Sequence, residues 1–235
     1  MAPTKNRAGG RLTARELEVI DHIARYRLTT ISVLCRTHLS GVSRGAAGKV
    51  VSRLCSADYL QSYPLFHPTR YYVLGAQGTK SLGLAVHRSL PLGPQSLPME
   101  YAALLYATLG KQLRKRLNTR EVLALYPWLP AALAAAPHCF DETHGVLELL
   151  RVDLGGPADH VARKCLADIN ARRRLREFSP LVRSGKFRLV VITSTPAKAA
   201  ALRQAIDRHD WPADFPIHFS IVADLLSLTA RKHDA

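Results

Sequence analysis

Residues 43–57, with the sequence SRGAAGKVVSRLCSA, are the most informative segment for the fold of the first part of the chain. Its apolar members recur at helical spacing and predict a helix from about 44 to 57; they are Ala47, Val50, Val51 and Leu54. Ser43 precedes them as a candidate N-cap, because its hydroxyl accepts a hydrogen bond from a free backbone amide of the first turn. The opposite face of this helix carries cations and no carboxylate.

Helical patterns precede this stretch and extended patterns follow it. Thr13-Ala14-Arg15-Glu16 is a capping-box sequence and predicts a helix over about 14–26. A second helix is predicted from Thr30 to about 39. Extended runs at 59–66 and 70–74 flank the turn sequence His67-Pro68-Thr69. Two helices, a short turn, a third helix and a hairpin are the order of a winged helix-turn-helix, which we expect over 12–86.

The rest of the chain predicts an α/β domain. Residues 1–11 are interpreted as a flexible basic tail, and 87–137 as a linker with connecting helices that include one over about 99–116. Within 138–235, strands are predicted at 146–152, 187–193 and 217–222, alternating with helices at 158–175 and 197–208. The expected class is therefore α+β or α/β, with the small C-terminal domain interpreted as a degenerate restriction-nuclease-like fold.

The charge is concentrated in the first third of the chain. The protein has 33 lysines and arginines against 18 acidic residues, a formal net charge of +15. Residues 1–90 hold 13 of these cations and four acids. Such a surface attracts polyanions, of which nucleic acid is the commonest and an anionic membrane the alternative. No apolar run is long enough to span a bilayer, no signal-peptide pattern is present, and four scattered cysteines suit a reducing compartment, so we expect a cytoplasmic protein.

The predicted third helix is the candidate DNA-reading element. In a helix-turn-helix the second helix of the pair lies in the major groove, where a guanidinium pairs bidentately with guanine, so Arg44 is the best candidate for a base contact. The wing suits phosphate or minor-groove contacts, and the start of the first helix suits contacts to the DNA backbone. The full predicted set is Ser43, Arg44, Lys49, Ser52, Arg53, His67, Thr69, Arg70, Arg11 and Arg15. The alternative is that these cations form an ordinary solvated surface.

Short motifs along most of the chain are shared with one family. In the first domain they are 12–17 (LTAREL), 28–30 (LTT), 52–60 (SRLCSADYL) and 72–78 (YVLGAQG); in the second they are 152–156 (VDLGG), 189–193 (LVVIT) and 200–203 (AALR). With these motifs the chain resembles the plasmid replication-relaxation family of winged-helix proteins. The resemblance implies a DNA-binding protein of a mobile genetic element.

Three uses of DNA binding remain open from the sequence. The first is a transcriptional regulator of transfer or replication genes, binding double-stranded DNA as a homodimer. The second is an accessory factor at an origin, acting with a relaxase or a replication initiator. The third is a metal-dependent nuclease, for which Asp141, Glu148, Asp153 and Lys164 are the candidate residues.

The sequence argues against catalysis and against a bound cofactor. Members of the family that this chain resembles tend to carry Glu two positions before the aspartate of the 152–156 motif. This chain has Arg151 there. A cation at that position weakens the case for a metal site. No zinc-type spacing of cysteine and histidine and no phosphate-binding Gly-Lys loop is present. We therefore expect no catalytic residues, no metal and no cofactor.

For two further features, the sequence leaves two interpretations open. The helix at 99–116 carries Leu104, Leu105, Leu109 and Leu113, which predict either a dimer contact or packing inside the monomer. The basic run Arg172-Arg173-Arg174-Leu175-Arg176 fits either the solvated C-terminal end of a helix or an additional phosphate contact.

Overall fold

The chain forms a mixed α+β protein with two separate sheets, which confirms the general class. The computed structural model describes residues 12–110, 112–213 and 215–229, and it divides into two compact units, 1–93 and 94–235. Arg11, one of the predicted contact residues, lies outside the described residues. Among the described helices, none has both the length and the apolar character needed to cross a membrane.

The first unit contains three helices followed by a hairpin. Helix α1 spans Ala14–Tyr26, α2 spans Ile31–Thr37 and α3 spans Arg44–Ser56. Strands β1 (Leu60–Phe66) and β2 (Thr69–Leu74) pair antiparallel, and a short helix α4 (Ala76–Ser81) and a 3-10 turn (Val86–Ser89) follow. Each of the first three helices begins at a hydroxyl-bearing N-cap, respectively Thr13, Thr30 and Ser43.

One apolar core holds the three helices and the hairpin together. Its buried members come from α1, α2, α3 and both strands, because each helix turns one apolar stripe inward; they are Val19, Ile20, Ile23, Leu34, Leu39, Ala47, Val51, Leu54, Leu60 and Leu74. Burying a side chain of this size contributes about 1.5–3 kcal/mol. Since α3 turns Ala47, Val51 and Leu54 inward, its other face is left to solvent.

Backbone contacts fix the hairpin against the helices. The segment between α1 and α2 adds a bridge to the hairpin, because the N–H and C=O groups of Thr29 and Tyr72 exchange two hydrogen bonds of 2.9 Å. At the other end, Gly75 lies close to the turn after α3. A Cβ at Gly75 would lie 2.3 Å from the carbonyl oxygen of Asp58, so only glycine fits there.

The second unit is a five-stranded sheet between helices. Its helices are α5 (Ser96–Thr108), α6 (Thr119–Leu125), α7 (Ala131–Ala134), α8 (Ala158–Arg173), α9 (Phe178–Arg183), α10 (Pro196–Asp207) and α11 (Leu225–Thr229). Its strands are β3 (Arg114–Leu117), β4 (His138–Asp141), β5 (Val146–Val152), β6 (Phe187–Thr193) and β7 (Ile217–Ile221).

The strands lie in sequence order, β3-β4-β5-β6-β7. The first three are antiparallel neighbours, and β5, β6 and β7 run parallel. On one face, Leu147, Leu149, Leu189 and Val191 pack with α8 and its neighbouring helices in the main core. The alternate residues of the strands face the opposite side, where Tyr106 of α5 reaches Glu148 of β5.

Residues 94–137 are part of the second unit and not a free linker. The helix predicted over 99–116 ends at Thr108, and Gly110 follows with φ +117°, a conformation that favours glycine. Residues 114–117 then form an edge strand paired with β4. Leu104 and Leu105 are buried in their own unit, in agreement with packing inside the monomer, whereas Leu109 and Leu113 lie beyond the helix, so the four leucines do not form one stripe on α5.

A buried histidine makes the first unit sensitive to acid. His22 is 5% exposed, and one ring nitrogen lies 3.1 Å from the hydroxyl of Thr29. Its ring centroid lies 4.7 Å from that of His38. Burial and, secondarily, the neighbouring His38 lower the pKa of His22 to about 3. His22 therefore binds a proton in the unfolded chain at pH values where it stays unprotonated in the folded unit.

We predict that the free energy of unfolding has its full value above pH 6.5 and decreases as the pH falls from there toward 3. With an ordinary histidine pKa of about 6.5 in the unfolded chain, His22 alone removes about 2 kcal/mol at pH 5. Urea unfolding followed by circular dichroism at pH 7.5 and 5.0 measures this loss. His22→Gln retains a polar partner for Thr29 and should show a smaller loss. Equal losses in both proteins would contradict the assignment.

Candidate nucleic-acid interface

Helix α3 presents a cationic face that is free of acidic residues. Its N-cap is formed by the Ser43 hydroxyl, which accepts a hydrogen bond from the Ala46 amide at 3.2 Å. Ser43, Arg44, Lys49, Ser52 and Arg53 are all exposed, as expected from the inward direction of the apolar stripe. All five predicted α3 residues are therefore accessible to solvent.

Arg44 and Lys49 are the free cations of this face. Within the described residues, neither side chain lies within ion-pairing distance of a carboxylate. Gly45 between them is exposed, and a Cβ there would meet only the Ser43 hydroxyl, at 3.9 Å. Nothing in the described fold thus demands glycine at this position, while its absent side chain leaves the backbone accessible from outside.

Arg53 differs from the other cations because an internal carboxylate binds it. Its Nη2 lies 2.7 Å from Oε1 of Glu16, and its Nε donates to the same oxygen at 2.8 Å. The side chain of Arg53 is still 63% exposed, whereas that of Glu16 is 5% exposed. Arg53 therefore joins α3 to the start of α1, a structural role that the sequence alone did not indicate.

Glu16 is the centre of this contact. Its Oε2 accepts hydrogen bonds of 2.9 Å from both the amide and the hydroxyl of Thr13, completing the predicted capping box. Burial by itself raises the pKa of the Glu16 carboxyl, but the Thr13 hydrogen bonds and the charge of Arg53 outweigh it and leave the pKa below its usual value. The carboxylate is therefore ionised at neutral pH and holds both elements.

The hairpin carries the other predicted contacts. His67 and Arg70 are exposed and Thr69 is half-buried at the β1–β2 turn. The Arg70 guanidinium is held in place across the hairpin, because its Nε donates to the Ser62 hydroxyl at 2.6 Å and its Nη2 to the Ser62 carbonyl at 2.9 Å. Ser62 was not among the predicted residues, and its register opposite Tyr72 was not readable from sequence.

Two tyrosines of the hairpin pack against each other within the unit. Tyr71 is 2% exposed, its ring lies 5.6 Å from that of Tyr63, and its hydroxyl accepts a hydrogen bond from the Leu92 amide. A ring that is buried in this way is not presented for stacking on a base. Arg15, the remaining predicted residue among those described, is exposed on the first turn of α1.

The carboxylates proposed for a nuclease are held by cations and hydroxyls. Asp141 and Glu148 are fully buried on the α5 side of the sheet, where Arg188 contacts both. Glu148 also contacts Arg114 and accepts a hydrogen bond from the Tyr106 hydroxyl. These guanidinium groups bind the carboxylate oxygens that a metal ion would need as ligands.

Asp153 and Lys164 do not join this group. Asp153 accepts hydrogen bonds from the Gly155 amide and the Thr193 hydroxyl, at 3.0 and 3.1 Å. Lys164 is exposed on α8. In the described part of the chain, no cluster of three or more histidine, cysteine or acidic side chains has the arrangement of a metal site.

Comparison with known proteins found no match to this chain among protein families, curated proteins or solved structures.

We predict that Glu16→Ala lowers the free energy of unfolding by about 1–2 kcal/mol, because the capping box and the bond to Arg53 are both lost. Asp21→Ala is the control, since it removes an exposed acid from the same helix and should change stability by less than about 0.5 kcal/mol. Urea unfolding at pH 7.5 compares the two variants. Equal effects would show that the Glu16 contacts are not stabilising.

Proposed function

We propose that the protein binds double-stranded DNA in a sequence-specific manner through its first unit, which we interpret as a winged helix-turn-helix. The observation that carries the proposal is the exposed face of α3, where Arg44 and Lys49 have no acidic partner in the described structure. A helix with a capped, cationic and accessible N-terminal half is the element that such proteins place in the major groove.

The hairpin supports this interpretation through its position in the chain and its charge. It follows α3 directly, and its tip displays His67 and Arg70 beside the turn. A guanidinium already held by Ser62 loses little conformational freedom when it binds a phosphate. We propose that this tip contacts the DNA backbone while α3 reads the bases.

Within the proposal, the α3 cations have different tasks. Arg44 is the candidate for bidentate recognition of guanine, and Lys49 and Ser52 reach bases or phosphates next to it. Arg53 is the positioning residue that sets the angle of α3 through Glu16, and its exposed portion remains available to a phosphate. Arg15 would add a backbone contact near the start of α1.

We propose a regulatory role without catalysis, at promoters of mobile-element genes and as a homodimer. The arginines that hold Asp141 and Glu148 favour a binding protein over a metal-dependent nuclease. The second unit would then be a degenerate, non-catalytic nuclease-like domain. An accessory role in replication or relaxation requires the same α3 surface and differs in location, so a genome-wide map of bound sites separates promoters from an origin.

We predict that Arg44→Ala with Lys49→Ala lowers affinity for a duplex selected from a random pool at least tenfold, while the fold is preserved. Loss of one bidentate base contact removes about 1–3 kcal/mol of discrimination, and each lost phosphate contact reduces the slope of log K against log salt by about 1. Gel-shift titrations at several salt concentrations measure both quantities.

The matched control is Arg120→Ala with Arg183→Ala, which removes two exposed cations from the second unit. This variant should keep its preference for the selected duplex over an unrelated one. If both double variants lose the same affinity and the same preference, the positive charge of the protein acts without regard to position, and α3 is not the reading element.

A further inference from the structure

Two arginines and a histidine lie on the opposite side of the second sheet from Glu148. Four buried side-chain nitrogens in the described structure have no hydrogen-bond partner, and all belong to His138, Arg151 and Arg172. His138 on β4 pairs directly with Leu149 on β5, and Arg151 follows two residues later on the same face. Leu149 belongs to the core that β5 shares with α8, the helix that carries Arg172.

Arg172 is a buried cation for which the described part of the chain provides no carboxylate partner. It is 1% exposed, and its guanidinium donates hydrogen bonds of 3.0 Å to the carbonyl oxygens of Asp168 and Leu133. Its Nε has no partner. Burial, together with the neighbouring Arg151, lowers the pKa of Arg172 to about 10, so the group is still charged at neutral pH. An uncompensated charge at this depth is strongly unfavourable.

Arg151 brings a second positive charge to the same place. Its Nη2 contacts the carboxylate of Asp168, the residue whose carbonyl oxygen binds Arg172. Its Nε is buried and unpartnered. Asp168 thus supplies one negative charge for two guanidinium groups. The Arg151 and Asp168 side chains are 33% and 26% exposed, so this ion pair is the side of the cluster that reaches solvent.

Among the residues that the structure describes, the neighbouring groups do not supply the missing negative charge. Asp153, two residues beyond Arg151, is held by Gly155 and Thr193, and Lys198 lies 3.9 Å from it. His138 is fully buried, and burial and then Arg172 lower the pKa of His138 to about 4, so it is neutral at pH 7. The carbonyls of Ala134 and Ala136 lie near its ring, but neither ring nitrogen has a hydrogen bond of regular geometry.

We propose that Arg172, Arg151 and His138 form a binding site for a phosphate-like oxyanion. Guanidinium groups recognise phosphate and sulfate oxygens through charge-assisted hydrogen bonds, and a neutral imidazole adds one N–H donor. An oxyanion supplies both the acceptors and the negative charge that the site lacks, whereas water supplies acceptors alone. The ligand reaches the site from the Arg151–Asp168 side and takes over part of the role of Asp168.

The test measures thermal unfolding of the full chain while inorganic phosphate or sulfate replaces chloride at constant ionic strength. Both tryptophans, Trp128 and Trp211, lie in the second unit, so their fluorescence reports on that unit. We expect a saturable rise of a few degrees in the midpoint. A midpoint that does not respond to either oxyanion would overturn the proposal.

Two arginine variants locate the response. Arg172→Met replaces the buried charge by an apolar side chain of similar length and should abolish the rise while the protein stays folded. Arg173→Met removes the adjacent exposed cation and should keep the rise of the unaltered chain. An oxyanion response that persists in Arg172→Met would overturn the proposal. Arg151→Gln, at the solvent side, should weaken the response and provides a second test.

The phosphate group can be free or part of a nucleotide. A short single-stranded oligonucleotide with a 5′-phosphate, compared with the same oligonucleotide without it, distinguishes these sources. A response to the phosphorylated form alone identifies a terminal phosphate, and a response to inorganic phosphate alone identifies the free ion. These measurements use no duplex and monitor the second unit, so their failure leaves the proposed role of α3 untouched.

Discussion

The buried carboxylate of Glu16 is the contact on which the geometry of the first unit depends. One oxygen satisfies the start of α1 through Thr13, and the other binds Arg53 on α3. A single ionised group therefore fixes the beginning of one helix and the orientation of another. With α3 fixed and its apolar stripe in the core, Arg44 and Lys49 are necessarily on the outside. The proposed reading surface is thus a consequence of the apolar core, and the Glu16–Arg53 pair helps to hold α3 in place.

In the second unit, the buried charges on the two faces of the sheet are compensated in different ways. On the α5 side, Asp141 and Glu148 are matched by Arg114 and Arg188, and the Tyr106 hydroxyl completes the group. On the α8 side, Asp168 is the one described acid that contacts both arginines, through its carboxylate to Arg151 and its backbone carbonyl to Arg172. The first arrangement needs no ligand. The second has an excess of positive charge, which is why we infer an oxyanion there.

Local signals account for the parts of the fold that the sequence predicted well. The Thr13–Glu16 capping box and the Ser43 cap define where α1 and α3 begin, and apolar spacing defines which faces are buried. Turn chemistry at His67-Pro68 separates β1 from β2. Each of these signals acts over a few residues, so a single sequence contains them in full.

Features that depend on distant partners could not be predicted in this way. Residues 114–117 form a strand because residues 138–141 pair with them. The helical spacing at 99–116 therefore predicted a C-terminal end for α5 that lies too far along the chain. The Arg53–Glu16 pair joins positions 37 residues apart, and no local sequence pattern predicts it. Arg172 looked like a solvated helix end among its basic neighbours, yet the helix turns it into the interior. Among the predicted contacts, Arg53 is the one whose role changed most.

The most direct measurement of the central claim is guanine N7 methylation interference on a duplex selected for tight binding. Guanine N7 lies in the major groove, so methylation there blocks a bidentate arginine contact. We predict that methylation of at least one guanine prevents binding by the unaltered chain, and that Arg44→Ala no longer distinguishes methylated from unmethylated DNA at that guanine. The same interference pattern in both proteins, or no interference at any guanine, would contradict it.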